Sequence, residues 1–533
     1  MLRAPRPQSG IAMKKTLATL VLAGLAAFSH AQDLTIALSA PVSALDPHFH
    51  NLGPNLQVAK HVFESLVASD EKQGLKPGLA ESWRVVDELT WEFKLRRGVR
   101  WHDGSEFTSE DVAATFKRIP NVPNSPASLA LYTRAVTELA TPDKYTVRMK
   151  TARPHPLLPN DLIAVLMVPK KVAETAKTED FNAGKAMIGT GPYKWAEYVA
   201  GDRAVYVVND KYWGSKPAYA KVRLRFISNS AARVAALLAG DVQMIENVPT
   251  ADVARLSKDA RVQLSSAVSN RMIYLHMDSG REKNSPFVTD KAGKPLEANP
   301  FRDVRVRKAI SKAVDRDAIV SRVMEGQAKP AGQLLHESFF GTSKKLAPEK
   351  YDPEGAKKLL AEAGYPDGFG ITLHAPNNRY INDEKVAQAV AQYLTRVGIA
   401  TKLEAMPSNI FFSRGSKLEF SFLLAGWGAE TGEASSPLRS LVATFDAKAG
   451  MGGANRGRFS DGGLDAIIQT ALATIDDTKR GLMLAAASEK AVAEHMALVP
   501  LHYEVSIWGT RKGIAYRARA DQYTLAQEVR PGK

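Results

Sequence analysis

From residue 33 onward, two kinds of apolar spacing take turns along the chain. Segments with an apolar residue at every second position give way to segments with one at every third or fourth. That interleaving over about 500 residues, with no sequence repeat, constrains the fold more than any single motif. Period two marks a half-buried strand and period 3.6 an amphipathic helix, so the expected class is α/β, built as more than one lobe. Thr90 to Leu95 (TWEFKL) reads as a strand entering the turn at Arg97-Gly98. Thr108, with Asp111 three residues on, forms a capping box for a helix carrying Val112 and Phe116 on one face. Tyr145-TVRM, Val205 to Val208 and Val222 to Phe226 read as strands, and Ala231 to Leu238 as a helix stopped by Gly240.

The second half continues the mixture. Arg271-MIYLHM is a strand, and Val304 to Val323 reads as one helix ended by Gly326. Asp352-Pro353 begins a helix that Gly364 closes, since proline suits the first helical position and glycine the position past the end. Ile371-TLHA is a strand running into the loop 376–383, and Val386 to Val397 is helical. Phe420-SFLLAGW is a strand that ends in the glycine-rich segment Gly426 to Gly432. In α/β lobes of this kind, chemistry gathers on loops leaving strand ends.

The N-terminus carries an address. Met13-Lys14-Lys15 is followed by the apolar run Leu17 to Phe28 and then Ser29-His30-Ala31. A basic region, a short apolar core and a small-x-small site make a secretory signal peptide over 1–31, cleaved after Ala31. A run of twelve residues is too short to span a bilayer, which takes about 20. The leader holds Arg3, Arg6, Lys14 and Lys15 and no acid, so the formal charge of +15 falls by four to +11. The remaining bases are scattered, without the aromatic-interleaved basic stripe of a single-strand nucleic-acid binder. No nucleic-acid partner and no integral membrane segment are expected. With no cysteine, disulfide frameworks, thiolate metal sites and cysteine-linked lipid anchors are excluded.

Catalytic signatures are missing: there is no Gly-x-Ser-x-Gly elbow, no phosphate loop and no His-Glu-x-x-His. Gly189-Thr190-Gly191-Pro192 reads as a turn needing special backbone angles rather than a phosphate cradle. His48 and His50, with His61, offer imidazoles that would suit Zn, Ni or Cu, but polar loop residues are the preferred reading. Glu430 and Glu433 lie three apart in one segment, so nothing sets them across a glycosidic bond. No catalytic residue, no metal ligand and no cofactor is assigned.

Several segments together resemble a known family. They are Leu45-Asp46-Pro47, Glu81-Ser82-Trp83-Arg84-Val85, TWEFKLRRGVRWHDGSEFTSEDV from Thr90 to Val112, Ile188-GTGPY, and FRDVRVRKAISKAVDRDAIV from Phe301 to Val320. In that order they are similar to the extracellular solute-binding proteins of family 5, the peptide- and nickel-binding components of bacterial ABC importers. The resemblance implies a bilobal α/β periplasmic binding protein (type 2, cluster C) with a small extra domain in lobe one. It places lobe one at 32–269 plus 494–533, the extra domain at 60–185 and lobe two at 270–493. It also implies a periplasmic monomer, not an enzyme, that holds a solute between the lobes and delivers it to membrane permease subunits.

The dipeptide- and glutathione-binding branch looks nearest. Its members use an acid soon after a Gly-Trp pair for the ligand amine, which falls here on Gly426-Trp427 and Glu430, with Glu433 following. They use an arginine after a lobe-two strand for the ligand carboxylate, which falls on Arg379, next to Tyr380. Arginine suits that task because its planar fork pairs bidentately with a carboxylate. Groups around Ala44 to His48 are expected to complete the site from lobe one. A small peptide or glutathione-like solute is the first expectation; a nickel chelate, an opine, a sugar or another solute on the same scaffold is the second. A secreted hydrolase is the reading from another class.

Overall fold

A computed structural model of the chain describes residues 33–532. The expected signal peptide and its cleavage site lie outside the described residues.

Two long antiparallel strands, Val262–Met277 and Leu498–Arg511, carry one mixed 12-stranded sheet through both lobes. Their outer halves pair from Val262 opposite Arg511 to Val268 opposite Val505, and their inner halves from Met272 opposite Tyr503 to His276 opposite Leu498. The register breaks in between, at Ser269-Asn270-Arg271. A break in the ladder bends and twists the strands there, and it divides the sheet into two wings. One wing holds Asp33–Leu38, Met244–Ile245 and Lys221–Phe226. The other holds Phe422–Gly428, Phe369–Pro376 and Ile399–Met406. Each wing has its own apolar core: Leu34, Ile36, Tyr206 and Trp508 in the first, Leu275, Leu373, Val390 and Leu394 in the second. Separate cores joined by two strands are the arrangement in which one lobe moves against the other.

A smaller antiparallel sheet, in the order Ala80–Asp87, Thr90–Leu95, Thr146–Thr151, Val136–Asp143, stands beside the first wing. Phe93, Trp101, Phe107, Val147 and Met149 fill its core, and Tyr523 and Leu525 from the far C-terminus join them. The helix Ser109–Arg118 packs on it. Its start is closed by the expected capping box, in which the Asp111 carboxylate accepts from the Thr108 backbone N–H at 2.8 Å.

Three sequence expectations change. The segment 304–323 is two pieces, Val304–Ala313 and one starting at Arg316, each with its own aspartate cap, Asp303 and Asp315. Val314 is extended between them. Periodicity could not show this, because the break is stabilised by tertiary partners: buried Arg316 donates to the carbonyls of Ser311 and Pro500 at 3.0 and 2.8 Å. The strand expected from Arg271 begins nine residues earlier, at Val262, in a serine-rich stretch that lowers its apolar contrast. Finally, Gly189 and Gly191 do not take left-handed backbone angles. They are needed for close approach, since a Cβ on either would stand 1.7 or 2.6 Å from the Val62 carbonyl oxygen.

Candidate functional site

Phe369–Pro376 and Phe422–Gly428 run parallel, with His374 opposite Leu423, so their C-terminal ends reach the same edge of lobe two. Loops beyond the carboxyl ends of parallel strands are where α/β folds bind ligands. Arg379 follows the first strand and Glu430 the second.

The Arg379 loop is pinned by its backbone. Asp383, at the start of the helix Asp383–Arg396, accepts from the N–H groups of Arg379 and Tyr380 at 2.8 and 3.0 Å. Tyr380 is buried, and its hydroxyl donates to the Gly426 carbonyl at 3.1 Å. Gly426 must lack a side chain, because a Cβ there would stand 2.8 Å from the Tyr380 ring. These two residues therefore position the loop. The Arg379 guanidinium is solvent-accessible yet walled in by protein, which pushes its pKa downward, with neighbouring Arg271 adding to the effect. It has no hydrogen bond or ion pair among the described residues.

Glu430 is reached from the register break of the long strands. Asn270, in the register break, accepts from the Ala429 N–H and donates its side-chain amide to the Ala429 carbonyl, both at 3.1 Å. Glu430 thus projects past the end of the sheet toward lobe one. Its carboxyl is also accessible but hemmed in, and that desolvation pushes its pKa up to about 7 against the pull of Arg271 and Lys60. Trp427, half-buried, donates its indole N–H to Ser436 Oγ at 3.0 Å and steadies the far side of the same loop.

Lobe one supplies the opposite wall. Gln73 donates to the Glu430 carbonyl at 3.0 Å and Asn160 to the Thr431 carbonyl at 2.8 Å, so amides of one lobe meet the backbone of the other. Lys60, Tyr132, Asn160, Asp521 and Tyr523 face Glu430 across a cavity of about 20 Å³. That volume takes about one water. Burial brings the Lys60 ammonium down to about 8, and its Nζ donates to the Ile163 carbonyl at 3.0 Å.

The structure separates the remaining expected residues from this cleft. Glu433 is buried against Arg480, at 2.7 Å from its guanidinium, with Ser435 donating to the same carboxylate. It holds the loop rather than facing the cleft. His48 has both ring nitrogens engaged: Arg118 donates to Nδ1 at 2.8 Å, and Nε2 donates to the Leu166 carbonyl at 2.7 Å. Burial and the Arg118 charge bring it down to about 4. His61 donates from Nδ1 to the Gln57 carbonyl and accepts the Ala526 N–H at Nε2, while His50 pairs with Ser43. The three imidazoles that drew a metal reading are thus held by different partners. Lys60, Arg271, Asp521 and Tyr523 were not legible as site residues, because the signal for each is only its place in the fold.

Comparison with known proteins agrees with this architecture. The family model described as bacterial extracellular solute-binding proteins, family 5 middle, matches residues 74–449. The glutathione-binding protein GsiB of Salmonella choleraesuis is 30% identical over 446 residues, covering 81% of this chain and 82% of that protein. The dipeptide-binding protein of Escherichia coli is 29% identical over 434 residues, covering 76% of each. Among solved structures, the periplasmic binding protein DppA from Helicobacter pylori in complex with the peptide STSA superposes with a TM-score of 0.78 at 22% identity, covering 94% of this chain and 98% of that one. Two lobes on a broken pair of strands, with a charged cleft between them, are the form of a solute carrier, and the chain belongs to the bacterial extracellular solute-binding proteins of family 5, the substrate-binding components of ABC importers.

Proposed function

We propose that the solute is a small peptide or glutathione-like molecule clamped as a zwitterion, with its ammonium on Glu430 and its carboxylate on Arg379. The observation that carries this reading is that two oppositely charged, desolvated groups without an ion pair among the described residues follow the ends of neighbouring parallel strands, near enough for Arg379 to feel the Glu430 charge. A ligand ammonium restores to Glu430 the favourable charge that desolvation removes, and a carboxylate gives the Arg379 fork its bidentate partner. Binding across both lobes favours the arrangement in which they meet, because only there does the solute touch both. The loaded form is what the permease would recognise, and the exported monomer would begin at Gln32 after cleavage following Ala31. The relatives named for glutathione and dipeptides support the solute class. Membership of a family of solute-binding proteins supports carriage rather than turnover as the expected outcome.

Native mass spectrometry of protein purified without refolding identifies the carried solute, and calorimetric titration of stripped protein measures its affinity. Glu430→Gln and Arg379→Ala are each expected to weaken that solute by about tenfold or more. If both bind it as tightly as the parent chain, the clamp is wrong. Release of cleaved product from peptides would favour the hydrolase instead.

A further inference from the structure

Tyr132, in the wall of the cleft, feels both the Glu430 and the Asp161 charges. Asp161 is felt in turn by Arg439, which Arg134 meets beside Gly450 and which the charge of Arg153 also reaches. Arg134 and Arg153 belong to the inserted domain of lobe one, and Arg439 to lobe two. Terminal nitrogens of Arg134 and Arg439 lie 2.5 and 3.1 Å from the single point where a Cβ on Gly450 would sit, so the two guanidiniums are close neighbours across the lobe boundary. Arg439 Nε donates to the Gly450 carbonyl at 3.1 Å, which fixes its direction. Among the described residues none of the three makes an ion pair. The carboxylate felt by Arg439 is that of Asp161, which is already bound to His155 Nε2 at 2.8 Å. Burial and the nearby Arg134 both disfavour the charged form of Arg439.

Like charges brought together by closure oppose it unless something negative lies between them. We propose that Arg134, Arg153 and Arg439 form an oxyanion-binding site across the lobe boundary, taking a carboxylate or phosphate group that bridges the lobes when they meet. Guanidinium forks match the planar or tetrahedral oxygens of such groups. The anion has two possible sources: a second acid group on the solute, or a free inorganic anion. The first source rests on the peptide reading above; the second does not.

The test uses the mature chain, the double variant Arg134→Gln/Arg439→Gln and, separately, Glu430→Gln. Each is titrated with inorganic phosphate alone, with glutathione, which carries two carboxylates, and with a dipeptide carrying one, all at constant ionic strength set by potassium chloride. All three arginines lie at or near the surface, and circular dichroism checks that the double variant is folded. A free anion predicts that phosphate raises the unfolding midpoint of the parent and of Glu430→Gln but not of the double variant. A second acid group predicts that the double variant loses about tenfold or more for glutathione with the dipeptide unchanged. The proposal is overturned if neither probe responds to the double substitution, or if the dipeptide loses as much as glutathione. Failure of the clamp alone would leave the phosphate result intact in Glu430→Gln.

Discussion

Two charged clusters, one around Arg118 and one around Glu430, use the same kinds of side chain and end in opposite states. In the first, the Asp46 carboxylate accepts from both Arg118 terminal nitrogens at 2.9 and 2.6 Å, from Thr178 at 2.8 Å and from the His48 N–H at 2.9 Å. Burial alone would raise the Asp46 pKa, but the Arg118 hydrogen bond and charge outweigh it and the net shift is downward. In the second, desolvation by the surrounding protein outweighs the attraction of Arg271, Lys60 and the Tyr523 hydroxyl at Glu430, Arg379 has no ion pair among the described residues, and each is pushed toward its neutral form. Desolvation is common to both clusters, and pairing is what separates them. A polar group satisfied inside the protein holds the fold. One that is desolvated and left unpaired is poised for a ligand.

The comparison breaks most visibly at the knot. Arg118→Met leaves Asp46 buried and unpaired, which costs about 3–5 kcal/mol. Urea unfolding should show that loss, while the folded fraction keeps its affinity for solute. An unchanged unfolding midpoint would mean that the knot does not hold the fold. The reverse pattern is expected for Arg379→Ala: an affinity loss of about ten- to a hundredfold by calorimetry, with the urea midpoint little moved. If Arg379→Ala unfolds the protein, Arg379 belongs with the knot.

A subtler separation comes from pH. Only ionised Glu430 pairs with an ammonium, and its carboxyl sits at about 7 without ligand. Apparent affinity should therefore rise about tenfold from pH 6 to pH 8, and Glu430→Gln should flatten the profile. Lys60, at about 8, loses charge only at the upper end of that range. For the ligand-free protein the sign is opposite. A carboxyl raised above its unfolded value makes the fold lose stability as pH climbs from about 4.5 to about 7, so Glu430→Gln should raise the unfolding midpoint at pH 8 and leave it unchanged at pH 4. The smallest effect belongs to Asn270→Ala. It removes one hydrogen bond from the register break to Ala429 and should cost a few-fold in affinity, about 1 kcal/mol or less, read by the same titration.

Much of this protein was legible in local chemistry. The capping box at Thr108, the Asp352-Pro353 start and Gly364 stop of one helix, and the strand Thr90–Leu95 all lie where the residues placed them. These features depend on groups within a few residues of one another, so the sequence by itself determines them. It also determined which loops carry Arg379 and Glu430, because strand ends are local too.

Only the tertiary structure could distinguish Glu430 from Glu433. They are three residues apart, and the difference is Arg480, which lies 47 residues beyond Glu433 and buries one carboxylate in an ion pair while the other faces the cleft. The same holds for Arg316 ending a helix on the Pro500 carbonyl, and for Lys60 and Tyr523 meeting at one wall of the cleft. Whether a charge is structural or functional depends on what the rest of the chain brings within hydrogen-bonding distance, and no local pattern encodes that.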